Sequence, residues 1–307
     1  MRWTVEPRRP QRAGFVYYFR MCLLCDLKTS SIPRPDHVWS ARRAFLLAGA
    51  ATAASATLPA AAQVEVGKSS TLRTLVPAEE LESAANQQYA QMMAEANAKR
   101  ALMPASDPQV QRLRAMARRL IPHAAPWNDR ATRWKWEVNL IRSEQINAFC
   151  MPGGKIAFYT GILDKLKLTD DEAAMIMGHE MAHALREHAR ERVAKTSATN
   201  MGLSVLAQLM GLGQLGDVAA NLGTQLLSLK FSRDDETEAD LVGLELAARS
   251  AYQPRASVSL WQKMAAANSG GAGLEFLSTH PSGPERIRGL EANLPKVQGL
   301  YESARRG

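Results

Sequence analysis

The chain has 307 residues, and 38 Lys+Arg against 30 Asp+Glu give it a formal charge of +8. Nine of those basic and three of those acidic residues lie in the first 62, so the rest carries only +2, which excludes the strongly basic surface that nucleic acid or an anionic membrane would require. Of three cysteines only Cys150 lies beyond residue 62, so that part of the chain cannot close an internal disulfide.

In chain order, residues 1–62 read as a leader. Arg42-Arg43 supply a positive start, residues 44–58 an apolar run, and Ala60-Ala61-Ala62 a small-residue cleavage site. The run has roughly 15 residues against the roughly 20 that span a bilayer, so cleavage is expected rather than anchoring. Ser40 to Leu47 resembles a twin-arginine export signal, and an ordinary Sec signal remains open. A signal so far from Met1 implies a start at Val38. Cys22 and Cys25 have the C-x-x-C spacing without a strand–helix pattern around it, and Leu24 is too large for a lipobox. Residues 63–307 are enough for one domain with a substantial core.

Polar, Ala- and Gln-rich residues 77–103 predict a solvated helix, and 107–121 an amphipathic one with Leu113, Met116, Ala117 and Leu120 on one face. Trp134, Trp136, Val138 and Leu140 alternate with polar residues, as in a half-buried strand. Strands are also expected over 146–151 and 155–160, joined by the turn Pro152-Gly153-Gly154. Thr169 with acids behind it caps a helix expected to reach about residue 195. Further helices fit 201–212, 217–229, 234–251, 255–267 and 284–294, with a Gly-rich loop over 269–277. Residues 196–216 hold no charged side chain; they predict a packed helical hairpin, with peripheral membrane contact through 196–229 as the alternative. The class is α+β, mostly helical with a small antiparallel sheet.

The chemistry centres on Gly178-His179-Glu180-Met181-Ala182-His183. Residues four apart share a helix face, so both imidazoles can reach one ion at the ~2.0–2.1 Å of a zinc–nitrogen bond. Glu180 sits where a carboxylate can take a proton from a water at that ion. The helix is apolar on most sides, and burying three such groups without a metal would be costly. A catalytic zinc usually has a third protein ligand. His188 follows His183 by five residues, not the six of a metzincin, and is set aside. Glu236 is the candidate: it and Asp240 are again four apart, so one carboxylate can bind the metal while the other accepts the free N–H of a ligand histidine. Taken alone, this acidic run would be a solvated helix start.

These residues, together with His188, Phe231-Ser232-Arg233, Ala239, the hairpin Asn147-Ala148-Phe149-Cys150-Met151-Pro152-Gly153-Gly154, and Thr279-His280-Pro281 followed by Arg286-Ile287, resemble the HtpX/CAAX-prenyl-protease group of gluzincin metallopeptidases. The resemblance covers residues 134–290 and is closest to the compact periplasmic members. It implies a zincin-like domain with one zinc per chain on His179, His183 and Glu236, Glu180 as catalytic base, and a role in clearing misfolded or unassembled envelope proteins from the periplasm. The hairpin at Asn147, Ala148 and Phe149 is expected to bind substrate by its backbone. His280 is expected to aid an oxyanion or cap the resting metal, with a purely structural histidine as the alternative, and Arg286 to anchor its loop by ion pairing. The rival reading is a chaperone-like protein that binds unfolded envelope chains and keeps zinc for stability.

Overall fold

The computed structural model describes residues 64–200, 226, 229–269, 275–281 and 283–307. The expected leader, with its cysteines and export signals, lies outside them. So do the helices expected over 201–212 and 217–229, apart from Leu226 and Leu229.

Helix α1 (Ala78–Ala98) is shorter and less solvated than its composition predicts. It stops before Arg100, which sits at φ 56°, and buries Leu81, Ala85, Tyr89 and Met93. The Tyr89 hydroxyl donates to the Ile156 carbonyl at 2.6 Å, so the buried ring also satisfies its polar end. Helix α2 (Pro108–Leu120) follows its predicted pattern: Asp107 caps it by accepting from the Gln109 N–H at 2.9 Å, and Leu113, Met116, Ala117 and Leu120 are buried.

Strands β1 (Glu137–Ile141), β2 (Ala148–Met151) and β3 (Lys155–Tyr159) form one sheet in the order β1-β3-β2. The α+β class holds, but the sheet is mixed rather than antiparallel. β2 and β3 form the expected antiparallel hairpin, whereas β1 pairs with β3 in parallel, Glu137 opposite Lys155. The burial of β3 explains this order. Lys155 through Phe158 are all buried, so β3 takes the centre and the hairpin leaves β2 on one edge. Residues 142–147 carry the chain across the sheet end, which leaves β1 parallel on the other. Gly153 and Gly154 turn the hairpin at φ 85° and 78°. A Cβ on Gly154 would lie 2.7 Å from the Trp136 ring, which packs over the turn.

After the short α3 (Thr160–Lys165), helix α4 (Asp170–Leu185) begins in a capping box between Thr169 and Glu172, as the sequence predicts. It does not run on to residue 195. Glu187 takes a left-handed φ of 59°, and α5 (His188–Asn200) leaves in a new direction. Ion pairs from Glu187 to Arg73 at 3.3 Å and Arg190 at 3.0 Å hold this break.

Helix α6 (Arg233–Arg249) starts in a second capping box, Ser232 with Asp235. It is followed by α7 (Ala256–Ser269), α8 (Glu275–Thr279) and α9 (Pro284–Arg306). Part of the expected 269–277 loop is therefore helical. α9 continues through Pro295, because Val297 and Tyr301 extend its buried face beyond the one lost backbone bond. Helix α4 is buried along almost its whole length, packed on β2 and on α6. Gly178 and Gly243 let α4 and α6 meet backbone to backbone: a Cβ on Gly243 would lie 2.6 Å from the His179 nitrogen.

Candidate metal centre

The glycine crossing lays one turn of α6 beside one turn of α4. His179 and His183 project from α4 with their Nε2 atoms 3.1 Å apart. Glu236 meets them from α6, Oε2 3.5 Å from His179 Nε2 and Oε1 3.5 Å from His183 Nε2. His280, just after α8, adds Nδ1 at 3.0 Å from Glu236 Oε1. One ligand atom from each of these four residues lies within 4.8 Å of all the others, and all four side chains are buried. The sequence thus anticipated three of the four, and it gave His280 a neighbouring role.

The donor set fits a zinc ion. Imidazole nitrogens and a carboxylate are zinc's usual ligands. Glu180 Oε1 is buried without any hydrogen bond, and Glu236 Oε2 is met by Arg286 Nη1 at 2.5 Å. Two imidazole nitrogens facing each other at 3.1 Å also suit a shared cation better than each other.

Electrostatics set the protonation states. Burial opposes a charged Glu236, but hydrogen bonds from His179 and His280 outweigh it and hold its carboxyl well below the usual range. Burial pushes His183 far down, toward the neutral ring that metal binding needs. Burial also opposes a charged His179, yet hydrogen bonds to Asp240 and Glu236 bring it up to about 9. Burial raises Glu180 above the ordinary carboxylate value.

Asp240 stands where the spacing predicts, its Oδ1 3.1 Å from the outer nitrogen of His179. Arg286 does more than hold its loop. It donates to both Asp240 oxygens at 2.7 Å and to the Pro281 carbonyl at 3.2 Å, with its guanidinium 3.6 Å over the Trp261 ring. Glu180 lines a cavity of about 230 Å³ together with Asn147, Ala148, Phe149, His183 and His280. Among the described residues β2 is an edge strand, and its residues form one wall of that cavity. His188 lies outside the four-residue group, but its Nδ1 is 2.9 Å from His183 Nδ1. The sequence counted His188 among the family-like residues while setting it aside as a ligand; its contact with His183 forms where α4 breaks at Glu187.

A family model for peptidase family M48 matches residues 107–294. The chain belongs to peptidase family M48. Zinc is the cofactor of that family, and the buried group of His179, His183, Glu236 and His280 is where the chain can hold it. Among curated relatives of this M48 peptidase, the mitochondrial metalloendopeptidase OMA1 of Schizosaccharomyces pombe is 41% identical over 172 residues, covering 55% of this chain and 50% of that protein. The metalloprotease LoiP of Escherichia coli is 28% identical over 200 residues, covering 63% and 74%. The β-barrel assembly-enhancing protease of Yersinia pestis is 26% identical over 171 residues, covering 52% and 35%. The chain spans about half the length of the two yeast OMA1 proteins. Among the described residues, no helix is long and apolar enough to cross a membrane.

Proposed function

We propose that this M48 peptidase is an endopeptidase that hydrolyses misfolded or unassembled cell-envelope proteins, with residues 63–307 as its catalytic domain. The observation that carries the reading is the convergence of His179, His183, Glu236 and His280 beside Glu180 and an edge strand. His179, His183 and Glu236 hold the zinc, and Asp240 orients His179. The metal supplies Lewis acidity toward a carbonyl oxygen and a water molecule. Glu180 takes the water proton and passes it to the leaving amine, and its raised pKa suits both halves of that transfer. His280 faces Glu236 and, through Nε2 at 3.6 Å, Glu180; this supports a resting contact at the metal, from which the ring must turn to donate to a substrate oxyanion.

Asn147, Ala148 and Phe149 bind substrate as the edge against which an extended peptide adds by backbone hydrogen bonds. An unfolded chain offers such an extended segment along its whole length, which favours unfolded substrates. The leader favours a periplasmic location after Tat or Sec export, with membrane contact through 196–229. The Yersinia relative's name, which couples a protease to β-barrel assembly, supports the envelope, while the OMA1 relatives are named for mitochondria.

Glu180→Gln tests the reading against a zinc-stabilised binding protein. The variant should keep one zinc and lose casein cleavage; full cleavage would exclude Glu180 as the base. A wild-type chain that retains casein without cutting it would favour the binding protein.

A further inference from the structure

His188 is the buried histidine that the reaction leaves without a task. In an unbroken helix, a residue five positions on stands about 140° around the axis from His183. The left-handed turn at Glu187 instead brings the two rings together, centroids 5.0 Å apart and planes at 75°. Phe231 stacks on the His183 ring at 4.0 Å.

The hydrogen-bond directions along this contact follow from the ligand set proposed above, on which the inference rests. His183 turns Nε2 toward His179 and Glu236, so that nitrogen carries the lone pair for the metal. A neutral imidazole has one N–H, which must then sit on Nδ1. Across 2.9 Å, His188 Nδ1 can only accept it. The proton of His188 therefore lies on Nε2, which faces Glu238 Oε2 at 3.4 Å. The same Glu238 oxygen accepts from Arg186 Nε at 2.8 Å, and Arg186 also donates to the Gly67 carbonyl.

We propose that His188 is a positioning residue. With Glu238 it forms a relay that fixes the tautomer and ring angle of His183, as Asp240 does directly for His179. The two ligand histidines are thus oriented by different devices: a carboxylate in direct contact, and a carboxylate acting through a second imidazole. Outer partners of this kind change metal affinity by about 10–100-fold when removed.

The test uses zinc affinity of the full chain, measured by competition with a chromophoric chelator, for wild type, His183→Ala, His188→Phe and His188→Gln. His188→Phe keeps the ring but offers no acceptor, and should weaken zinc by about 10–100-fold. His188→Gln restores an acceptor and should recover most of that loss. Nitrogen-15 spectra of wild type with labelled histidine should show His188 protonated at Nε2. Wild-type affinity in His188→Phe, or a proton on His188 Nδ1, overturns the relay. If His183→Ala binds zinc as tightly as wild type, the ligand assignment itself fails and the relay with it. If His183→Ala loses zinc while His188→Phe does not, only the relay falls.

Discussion

Gly243→Ala should damage the metal centre from outside it. The added Cβ would lie 2.6 Å from the His179 nitrogen, 2.8 Å from the Gly178 carbonyl carbon and 2.9 Å from the His179 Cα. All three are backbone atoms of α4, so no side chain can swing aside. Ordinary contact begins near 3.4 Å, and α6 must retreat by about 0.8 Å to reach it. Asp240 lies about one turn before Gly243 and Glu236 about two, so a retreat of the helix carries both carboxylates away from the imidazoles. Metal–ligand distances tolerate only about 0.2 Å, and the shift is several times that. Overpacking of this kind costs about 1–3 kcal/mol.

The assay is urea unfolding of zinc-free protein beside chelator competition. The expected result is a lower midpoint together with weakened zinc binding. Gly178→Ala should do the same to a smaller degree, since its Cβ would meet the Gly243 carbonyl oxygen at 2.8 Å. A Gly243→Ala protein with the wild-type midpoint and undiminished zinc affinity would refute the backbone crossing as the element that sets ligand spacing.

Arg286→Met should lower unfolding stability by about 3–5 kcal/mol, because Asp240 and Glu236 would stay buried without their cation; equal urea midpoints would contradict this. Burial opposes charge on Glu172, but hydrogen bonds from Lys263, Thr169 and Ser259 outweigh it and hold the pKa below its ordinary 4.5. A depressed carboxyl stabilises fully above its unfolded pKa and loses that contribution as pH falls through the folded one. Glu172→Gln should therefore be less stable than wild type at neutral pH and converge with it as the pH drops below about 4.5, in melting curves taken across that range. The cavity walls include Phe149, Met151, Tyr159, Leu229 and Phe231, so peptides with an apolar residue beside the cut bond should exceed their Asp counterparts by at least about tenfold in kcat/KM. Equal rates for the two peptides would remove the apolar wall as a determinant.

The parts of this centre that are local in sequence were legible there. Four-residue spacing puts His179 with His183, and Glu236 with Asp240, on single helix faces, and each helix announces its start through Thr169 or Ser232. The glycine pair at 153 and 154 likewise marks its turn. What escaped the sequence depends on partners distant in the chain. Arg186 and Glu187 are ordinary helix residues, and a left-handed Glu187 costs about 1–2 kcal/mol unless distant groups such as Arg73 hold it. Gly243 reads as a weak point in a helix until Gly178 is set against it. The position of β1 depends on which strand is buried on both faces, and strand alternation does not encode that choice.

Charge explains why these separate devices meet at one place. Among the described residues, Glu180, Glu236 and Asp240 are buried beside one buried arginine, Arg286, which leaves two negative charges in excess while the histidines are neutral. The nearby Glu238 is matched by Arg186 and does not change that sum. Low-dielectric surroundings make such an excess costly, and the raised values of His179 and Glu180 both act to reduce it by holding protons. A divalent cation cancels the excess while using the imidazole lone pairs. The same charge that would destabilise an ordinary core is therefore what selects a doubly charged ion, and removing Asp240 should weaken zinc although that residue never touches it.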